Sequence, residues 1–370
     1  MTKSWVIRPY YIGKFKKNST CSDYSDPRIS IFNNGIGSLD SPFLICNNYQ
    51  FNLIQNLMKP YDVLLYGYEG RNFFLNSAYQ NNYIELGNSL SFQQIKSKKV
   101  VDLPINLIGT YNLPFMGTFF SAPNNLYKIS DINISLNLSQ ATEGNIGLFR
   151  RTLNAHIYDL TLENIRMGNS NSSCGSNFGI VVGDMNGRIE NISVIGSQGG
   201  TGKIGGPSVL SMYNCSNVGG IMVKFSSDEN PNSFPANNLK YEGVAVLGKS
   251  YVGGIVGLLT NSIQSSNVNI LLTLGEGLEY VGGIIGASSG NFFIDDVHFT
   301  GPSISIYGIK GDLYVGGISG GLYGSVIQNS SVSSVTIHGK DGMTGIYFGY
   351  NEGGGAGYNN IPIDVSLDFH

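Results

Sequence analysis

Apolar residues in this chain come in short bursts separated by stretches rich in Asn, Gly and Ser, as in Val63–Tyr66 and Phe73–Leu75. Between Ile132 and Leu138 apolar and polar residues alternate strictly. Strict alternation places successive side chains on opposite faces of a strand, so this segment predicts a strand with one buried face. The pattern as a whole predicts an all-β fold.

One stretch near the N-terminus departs from this pattern. Phe51, Ile54 and Leu57 are spaced by three residues, which is the spacing of one helical face. We therefore expect a short helix near residues 47–57 that caps the body of the protein. We predict that residues 1–40 form an irregular leader and that residues 41–140 form a cap region with the first strands.

A glycine-rich motif repeats from residue 141 onward. It reads YVGGIVG at Tyr251–Gly257, YVGGIIG at Tyr280–Gly286 and YVGGISG at Tyr314–Gly320. Counting divergent copies, its first apolar position falls at Ile146, Phe178, Val218, Val252, Val281, Val315 and Met343. A second apolar element follows at Ile157, Ile189, Ile263, Ile294 and Ile327. The number of residues between successive copies varies while the motif itself stays constant. This indicates loops of different length inserted into a stack of repeats.

A single repeat of this kind cannot bury its apolar face and leaves a strand edge unpaired on each side. Stacking solves both problems, because strands of successive repeats pair in parallel and their apolar residues form continuous interior columns. We predict a parallel β-helix, or β-solenoid, of stacked repeats of about 30 residues. It would occupy residues 141–350, followed by a C-terminal tail at 351–370.

The glycines of the motif are predicted to be structural. Val252 and Ile255 are three residues apart, so both can face inward only if the chain bends between them. We expect each glycine pair to supply a positive φ or a bulge and to let neighbouring backbones approach closely. These glycines are Gly253, Gly254, Gly282, Gly283, Gly316 and Gly317. Asn191 and Asp296, which follow the second apolar element, are predicted to lie at corners.

At these residues the chain resembles proteins with the GLUG motif, a Gly-Leu-hydrophobic-Gly pattern of bacterial secreted and surface proteins. The pattern stands here as Gly254–Gly257, Gly283–Gly286 and Gly317–Gly320, with Ile in place of Leu. The upstream segments Ser41–Ile45 and Ile108–Phe119 are similar too, so the resemblance covers about residues 41–350. It implies a β-helical stalk or binding surface on or outside the cell, and it implies no shared catalytic residue.

Composition and charge narrow the possible partners. The 370 residues include 50 Gly and 41 Tyr or Phe, and their formal net charge is −3. This charge gives no electrostatic reason to expect nucleic acid or an anionic membrane as a partner. Two short basic runs, Lys14–Lys17 and Lys96–Lys99, are interpreted as solvated loops. No stretch is long and apolar enough to span a bilayer, so no membrane insertion is expected.

Localisation rests on less direct signals. Cys21, Cys46, Cys174 and Cys215 lack CxxC spacing and would form two disulfides or none. Met1–Tyr11 contains no apolar run of signal-peptide length. We expect a secreted or cell-surface protein whose leader has been removed or which leaves the cell by another route.

The sequence offers no catalytic constellation, and we expect no catalytic residue, metal or cofactor. The four histidines are scattered, although His156 and His298 would face one groove if their columns align. Asp295 and Asp296 are adjacent, which places them on opposite faces of a strand unless it bends there, so they are interpreted as corner and solvent residues. The Asn-x-Asp, Gly-His-Gly and Arg-x-Lys set of polygalacturonases is missing.

The most suggestive residues are Tyr251, Tyr280 and Tyr314, which hold one position of successive repeats. They should stack as an aromatic ladder that either binds sugar rings or only joins adjacent coils. We therefore expect a non-enzymatic, adhesin-like binding or structural module outside a bacterial cell, with a glycan or host-surface ligand. The alternatives are a carbohydrate-active β-helix enzyme, either a polysaccharide lyase or a glycoside hydrolase, and a structural subunit of a surface or secretion assembly.

Overall fold

The structure is a computed structural model that describes residues 21, 37–57, 83–110, 112–121, 127–135, 144–168, 177–196, 209–211, 215–227, 235–301, 308–356 and 359–369. The predicted leader at 1–40 and the predicted strands at Val63–Tyr66 and Phe73–Leu75 lie almost entirely outside these ranges. Within them the chain forms one helix and many short strands.

The elements of the N-terminal half are α1 Asn48–Leu57 and the strands β1 Phe43–Ile45, β2 Tyr83–Leu86, β3 Leu90–Ser91, β4 Gln93–Lys96, β5 Lys99–Asp102, β6 Thr118–Ser121, β7 Lys128–Ser130, β8 Asn133–Ser135, β9 Asn145–Ile146, β10 Phe149–Arg151, β11 Ala155–Glu163, β12 Arg166–Gly168, β13 Asn177–Gly179 and β14 Val182–Ile195. The C-terminal half contains β15 Val209–Ser211, β16 Val218–Gly219, β17 Met222–Ser226, β18 Ala236–Leu247, β19 Ser250–Gly253, β20 Val256–Leu259, β21 Ile263–Gly282, β22 Ile285–Ser289, β23 Phe293–Thr300, β24 Ile309–Gly316, β25 Ser319–Tyr323, β26 Val326–Gln328, β27 Ser331–Gly339, β28 Thr344–Gly345, β29 Phe348–Glu352, β30 Gly355–Ala356 and β31 Ile361–Phe369.

The predicted parallel β-solenoid is confirmed. Except for the hairpin β4–β5, all paired strands join one continuous parallel network in which each coil lies on the one before it. One interior column runs through Phe43, Ile84, Phe119, Ile157, Ile189, Ala236, Ile263, Ile294 and Ile327. Ala236 escaped sequence comparison because this coil replaces the usual Ile with a smaller residue.

A second interior column contains the first apolar position of the glycine motif. It runs through Ile146, Phe178, Val218, Val252, Val281, Val315 and Thr344. The sequence assigned the last place to Met343, and the register places Thr344 there instead. The side chains from Phe178 to Val315 are fully buried, so this column forms the core behind the glycine motif.

The predicted corners are present at Asn191 and Asp296. Their φ angles are 53° and 51°, in the left-handed region that Asn and Asp tolerate better than other non-glycine residues. The corner side chains also link the coils: Asn191 Nδ2 donates to Asp159 Oδ1 at 2.8 Å, and Asn238 Nδ2 donates to Asn191 Oδ1 at 2.8 Å. The corner residues therefore both turn the chain and pair one coil with the next.

The close approach predicted at the glycine pairs is confirmed, whereas none of the six glycines takes the positive φ that was offered as one way of bending the chain. A Cβ at Gly253 would lie 2.0 Å from the Val256 carbonyl oxygen, and one at Gly254 would lie 2.3 Å from the Gly283 carbonyl oxygen. Gly282, Gly283, Gly316 and Gly317 would meet backbone oxygens at 2.0–2.1 Å. The positive φ angles fall two residues before the first glycine of each pair, at Tyr251, Tyr280 and Tyr314. Glycine is needed here because two backbone segments cross.

The two ends of the stack differ. At the N-terminal end α1 confirms the predicted short helix, and it buries Phe51 and Ile54 against the first coils. A disulfide joins Cys21 to Cys46 beside this helix, and Cys215 is also disulfide-bonded. At the C-terminal end, β31 lies in the segment expected to be a tail, yet it pairs in parallel with β27 and continues the coil.

The close backbone approach at Gly254 can be tested with a single added methyl group. We expect Gly254→Ala to lower the free energy of unfolding by about 3 kcal/mol, because the methyl group overlaps a carbonyl oxygen that the stack holds in place. Gly355→Ala is the matched control, since a Cβ there meets no atom within 4 Å. Urea denaturation of both variants measures the difference, and equal midpoints would contradict the proposed crossing.

Candidate functional site

The tyrosines of the glycine motif form the expected ladder on the outside of the solenoid. The rings of Tyr251 and Tyr280 stack with centroids 5.0 Å apart and an interplanar angle of 2°. Tyr280 and Tyr314 stack at 4.8 Å and 25°. All three side chains are half-buried. The ladder therefore bridges three consecutive coils and leaves part of each ring in solvent.

Two further tyrosines join this ladder. Tyr323 donates a hydrogen bond from its hydroxyl to the Tyr280 hydroxyl at 2.7 Å, and Tyr350 packs edge-on against Tyr314 at 5.1 Å. Tyr323 and Tyr350 also contact each other at 5.5 Å. We call the five residues the tyrosine cluster: Tyr251, Tyr280, Tyr314, Tyr323 and Tyr350.

Comparison of repeats could not reveal Tyr323 and Tyr350. Tyr323 aligns with Ser289 and Glu352 in neighbouring coils, and Tyr350 aligns with Gly321. Neither position keeps its residue type from one repeat to the next. The absence of a side chain at Gly321 makes room for the cluster, because a Cβ there would lie 2.8 Å from the Tyr280 ring.

The column that holds the tyrosines carries asparagines in the coils before them. Asn145, Asn177 and Asn217 occupy the position one residue before the interior column. Asn177 Nδ2 donates to Asn145 Oδ1, and Asn217 Nδ2 donates to Asn177 Oδ1, both at 2.6 Å. One outer column thus changes from an amide ladder to an aromatic ladder along the stack.

The surroundings of Tyr251, Tyr323 and Tyr350 raise the pKa of each hydroxyl and so favour its protonated form. Burial, together with the hydrogen bond to Tyr280, raises the pKa of Tyr323. Burial and the neighbouring Tyr280 and Glu279 raise the pKa of Tyr251. The negative charge of Glu352 raises the pKa of Tyr350. At neutral pH these residues therefore present uncharged hydroxyl groups that donate hydrogen bonds.

Stacking also decides which part of the rings a ligand can reach. Tyr280 has Tyr251 on one side and Tyr314 on the other, so its ring faces are already occupied. A sugar ring laid flat on a tyrosine needs a free face. At Tyr280 only the ring edge and the hydroxyl group remain accessible to a ligand. The faces of this ring join adjacent coils, so a ligand would contact the edges of the cluster.

The histidines do not share a groove. The register pairs His156 with Arg188, whereas it places His298 beside Asn267, in the column of Lys240 and Ser193. The two columns are separated by five positions along the strand. The possibility that His156 and His298 face one groove is therefore excluded.

The adjacent carboxylates have separate surroundings. Asp295 is almost fully buried and accepts hydrogen bonds from Gln264, Gln328 and Asn329 at 2.7–3.2 Å. Asp296 is half-exposed at its corner and accepts a hydrogen bond from Ser265 Oγ at 2.9 Å. Asp296 therefore lies at the predicted corner, whereas the prediction of a corner or solvent role is wrong for Asp295, which is buried within β23 and held by amide hydrogen bonds.

Asp296 also begins a chain of contacts that the sequence did not reveal. Its Oδ1 lies 3.0 Å from His298 Nε2, and His298 Nδ1 lies 2.8 Å from Ser331 Oγ. A carboxylate, an imidazole and a hydroxyl in this order can activate the hydroxyl as a nucleophile. Here the carboxylate and the imidazole are 49% and 40% exposed, whereas the carboxylate of a serine-hydrolase triad is buried.

A second polar and aromatic group lies on the N-terminal coils. Burial raises the pKa of Glu85, while burial and nearby acidic groups raise the pKa of Tyr158 to about 12. Burial opposes ionisation of Glu190, but hydrogen bonds with Arg188 and His156 lower its pKa. Divergent pKa values often mark the acid and base of a glycosidase.

The spacing of these carboxylates does not suit glycoside hydrolysis. Glu85 and Glu190 lie in one column with two strands between them. Three strand spacings separate their backbones by about 14 Å. The carboxylates of glycosidases lie about 5 to 10 Å apart, so this pair does not support the glycoside hydrolase alternative.

The described ranges contain neither a metal-binding cluster nor a membrane-spanning helix. Within them, no three His, Cys, Asp or Glu side chains come together in a group that would hold a metal ion. In the same part of the chain, no helix has the length and apolar character needed to cross a bilayer.

Comparisons with known proteins add little to this geometry. No protein-family model matches the chain, and no curated protein matches it. Among solved structures, the chain is similar to a crystal structure described as "a putative immunoglobulin A1 protease from Bacteroides ovatus", with a TM-score of 0.46 and 16% identity. The match covers 92% of this chain and 87% of the other. A similarity this weak supports no conclusion about function.

The coupling between the Tyr323 and Tyr280 hydroxyls predicts a loss of stability at high pH. The pKa of Tyr323 is higher in the folded protein than its unfolded value of about 10, so its contribution is complete below about pH 10 and is lost as the pH rises through the folded pKa. We expect the free energy of unfolding to fall more steeply above about pH 10 in the wild type than in Tyr323→Phe. Urea denaturation across this pH range, with Tyr49→Phe as control, measures the slopes. Parallel curves for wild type and Tyr323→Phe would contradict the coupling.

Proposed function

We propose that the protein is an adhesin-like binding or structural module that acts outside a bacterial cell, and that the tyrosine cluster is its recognition surface. The observation that carries this proposal is the half-exposed cluster of five tyrosines fixed on consecutive coils. Tyrosines are favoured at binding surfaces because each offers an apolar ring and a polar hydroxyl with few rotatable bonds.

The rigidity of the cluster favours binding. Strands of a regular stack hold the rings in place, so little side-chain entropy remains to be lost when a ligand docks. The hydroxyl groups are uncharged at neutral pH, which fits a partner rich in hydroxyl groups and without strong charge. A glycan on a host or cell surface has this chemistry, and we propose it as the ligand.

The cysteines support a location outside the cytoplasm. The Cys21–Cys46 disulfide and the disulfide at Cys215 are expected of proteins from oxidising compartments. A secreted or surface location also agrees with the resemblance to GLUG-motif proteins. Membership in that group is part of the proposal.

A pair of substitutions can separate ligand recognition by the tyrosine hydroxyl groups from stacking of the tyrosine rings on one another. A double Tyr251→Phe and Tyr314→Phe variant keeps the ladder but removes two hydroxyl groups with no described hydrogen bond. We expect it to bind a glycan selected on a glycan array about tenfold or more weakly than the wild type, since each lost hydrogen bond costs about 1 kcal/mol. Array binding followed by titration calorimetry measures the difference.

The matched control is Tyr49→Phe, because Tyr49 is well exposed and lies on α1. It should bind like the wild type. Equal binding by the double variant and the wild type would reject the cluster as the recognition surface. If the wild type binds no glycan and no host-cell surface, the binding role is rejected and the structural role remains.

The Asp296–His298–Ser331 chain favours a second candidate function. A carbohydrate-active enzyme could use Ser331 to attack an ester carbonyl while His298 accepts the Ser331 proton and passes it to the leaving alcohol. Water would then release the acid. Asp296 and His298 are partly exposed, and such an open site suits small acyl groups on a polysaccharide.

Acid release from acetylated polysaccharides tests this second candidate. If the chain is catalytic, Ser331→Ala and Asp296→Ala should each abolish release, because one removes the nucleophile and the other the group that orients the imidazole. Ser333→Ala is the control, since Ser333 lies two residues further along the same strand. Turnover that depends on Ser331 would replace the binding proposal, and absence of turnover by the wild type would reject the enzyme.

A further inference from the structure

The hairpin β4–β5 stands apart from the solenoid. Among the described residues, the two strands pair with each other alone and form a separate antiparallel sheet. Their turn is formed by Ser97 and Lys98, with φ angles of 49° and 63°, as in the tight turns that suit two-residue hairpin loops. At the base, Leu103 N donates to the carbonyl oxygen of the buried Phe92 at 2.7 Å. The hairpin is thus anchored at one end and projects at the other.

The projecting part exposes aliphatic side chains. Ile95 and Val100 face each other across the two strands and are 65% and 47% exposed. Val101 is 39% exposed on the opposite face. A two-stranded hairpin is at best marginally stable in water, and here its apolar residues bury little surface. Their exposure therefore does not serve the fold.

The tip also concentrates positive charge. Lys96 and Lys99 are direct cross-strand partners, and like charges in this position destabilise a hairpin. Lys98 lies between them in the turn. None of the three lysines forms an ion pair with another described residue. Three lysines and a pair of exposed aliphatic residues thus lie within six consecutive residues, from Ile95 to Val100.

From this arrangement we propose that the β4–β5 hairpin docks into the headgroup region of an anionic lipid bilayer. The hairpin would enter the headgroup region tip first, so that Lys96, Lys98 and Lys99 contact lipid phosphates and carboxylates. Ile95 and Val100, on the face opposite Lys96 and Lys99, would reach the boundary with the acyl chains. This inference uses a surface separate from the tyrosine cluster and does not rest on the proposed glycan recognition.

The residue types favour lipid over other anionic partners. Nucleic acids are bound without sequence preference by aromatic rings that stack on bases, and sugar rings also pack on aromatic faces. The hairpin from Gln93 to Asp102 contains no aromatic residue. Aliphatic side chains gain nothing from stacking but gain directly from leaving water for the bilayer interface. The net charge of −3 for the chain does not prevent this, because screening confines the interaction to charges near the surface.

Co-sedimentation with vesicles tests the proposal on the full chain. We expect binding to phosphatidylcholine vesicles that contain about one-third phosphatidylserine, weak binding to pure phosphatidylcholine, and loss of binding between about 0.1 M and about 1 M salt. Replacing Lys96, Lys98 and Lys99 by Gln should weaken binding about fivefold for each lysine removed. Ile95→Ser with Val100→Ser should weaken it about tenfold or more.

The control variant carries Ile361→Ser and Lys340→Gln, which alter an exposed aliphatic and an exposed basic residue in the C-terminal coils. It should bind vesicles like the wild type. An Ile95→Trp variant adds a readout of depth, because its fluorescence should shift to the blue on anionic vesicles. Urea midpoints close to that of the wild type would show that the solenoid is intact.

Three outcomes would overturn the inference. The first is absence of binding to anionic vesicles by the wild type. The second is binding that depends on the lysines but not on Ile95 and Val100, with no blue shift at Ile95→Trp, which would indicate a general polyanion surface. The third is equal loss of binding in the control variant, which would place the contact elsewhere.

Discussion

The crossing of two backbone segments at each glycine pair is the constraint on which this solenoid depends. At Gly253 even a methyl group would overlap the Val256 carbonyl oxygen, so the coil closes only if hydrogen occupies that position. The crossing fixes how the strand that ends at Gly253 meets the strand that begins at Val256. It also removes freedom from the glycines, and the left-handed bend falls on the preceding tyrosine. The left-handed residue accompanies the crossing only where the column holds tyrosine, because Asn177 and Asn217 precede the same close approach at Gly179 and Gly219 without a positive φ.

Parallel stacking then places residues of the same kind next to one another along the molecule. When coils repeat in register, a residue has its counterpart in the next coil as its nearest neighbour, about 4.8 Å away. Inside, this produces apolar columns. Outside, it produces the amide ladder of Asn145, Asn177 and Asn217, the corner ladder of Asp159, Asn191 and Asn238, and the stacked tyrosines. Surface chemistry therefore extends along columns, and several coils together form one site.

Much of the fold could be predicted because equivalent residues of successive repeats contact one another. A pattern that recurs in the sequence therefore identifies contacts between residues that are distant along the chain. The interior columns, the corners at Asn191 and Asp296 and the helix at residues 47–57 followed from spacing alone. Tyr323 and Tyr350 could not be found, because their positions change residue type in every coil. The Asp296–His298–Ser331 chain depends on which residue of the next coil lies beside His298, and one inserted loop residue alters that register. The hairpin β4–β5 was missed because it lies outside the repeat.

Tyrosine at the left-handed positions is not explained by stability alone. A left-handed φ costs a bulky residue about 1–2 kcal/mol, while an aromatic contact contributes about 0.5–1.5 kcal/mol beyond burial. At Tyr280, stacked partners on both sides together contribute about 1–3 kcal/mol, which offsets the cost of the left-handed φ. The coils with Asn145, Asn177 and Asn217 join the same column by amide hydrogen bonds and have no left-handed residue there. Coils can therefore be joined at this column by asparagine as well as by tyrosine, and stacking of the coils does not by itself require tyrosine. What the tyrosine ladder adds is a fixed row of aromatic edges and uncharged hydroxyl groups at the surface, and this difference supports the proposal that the cluster binds a ligand.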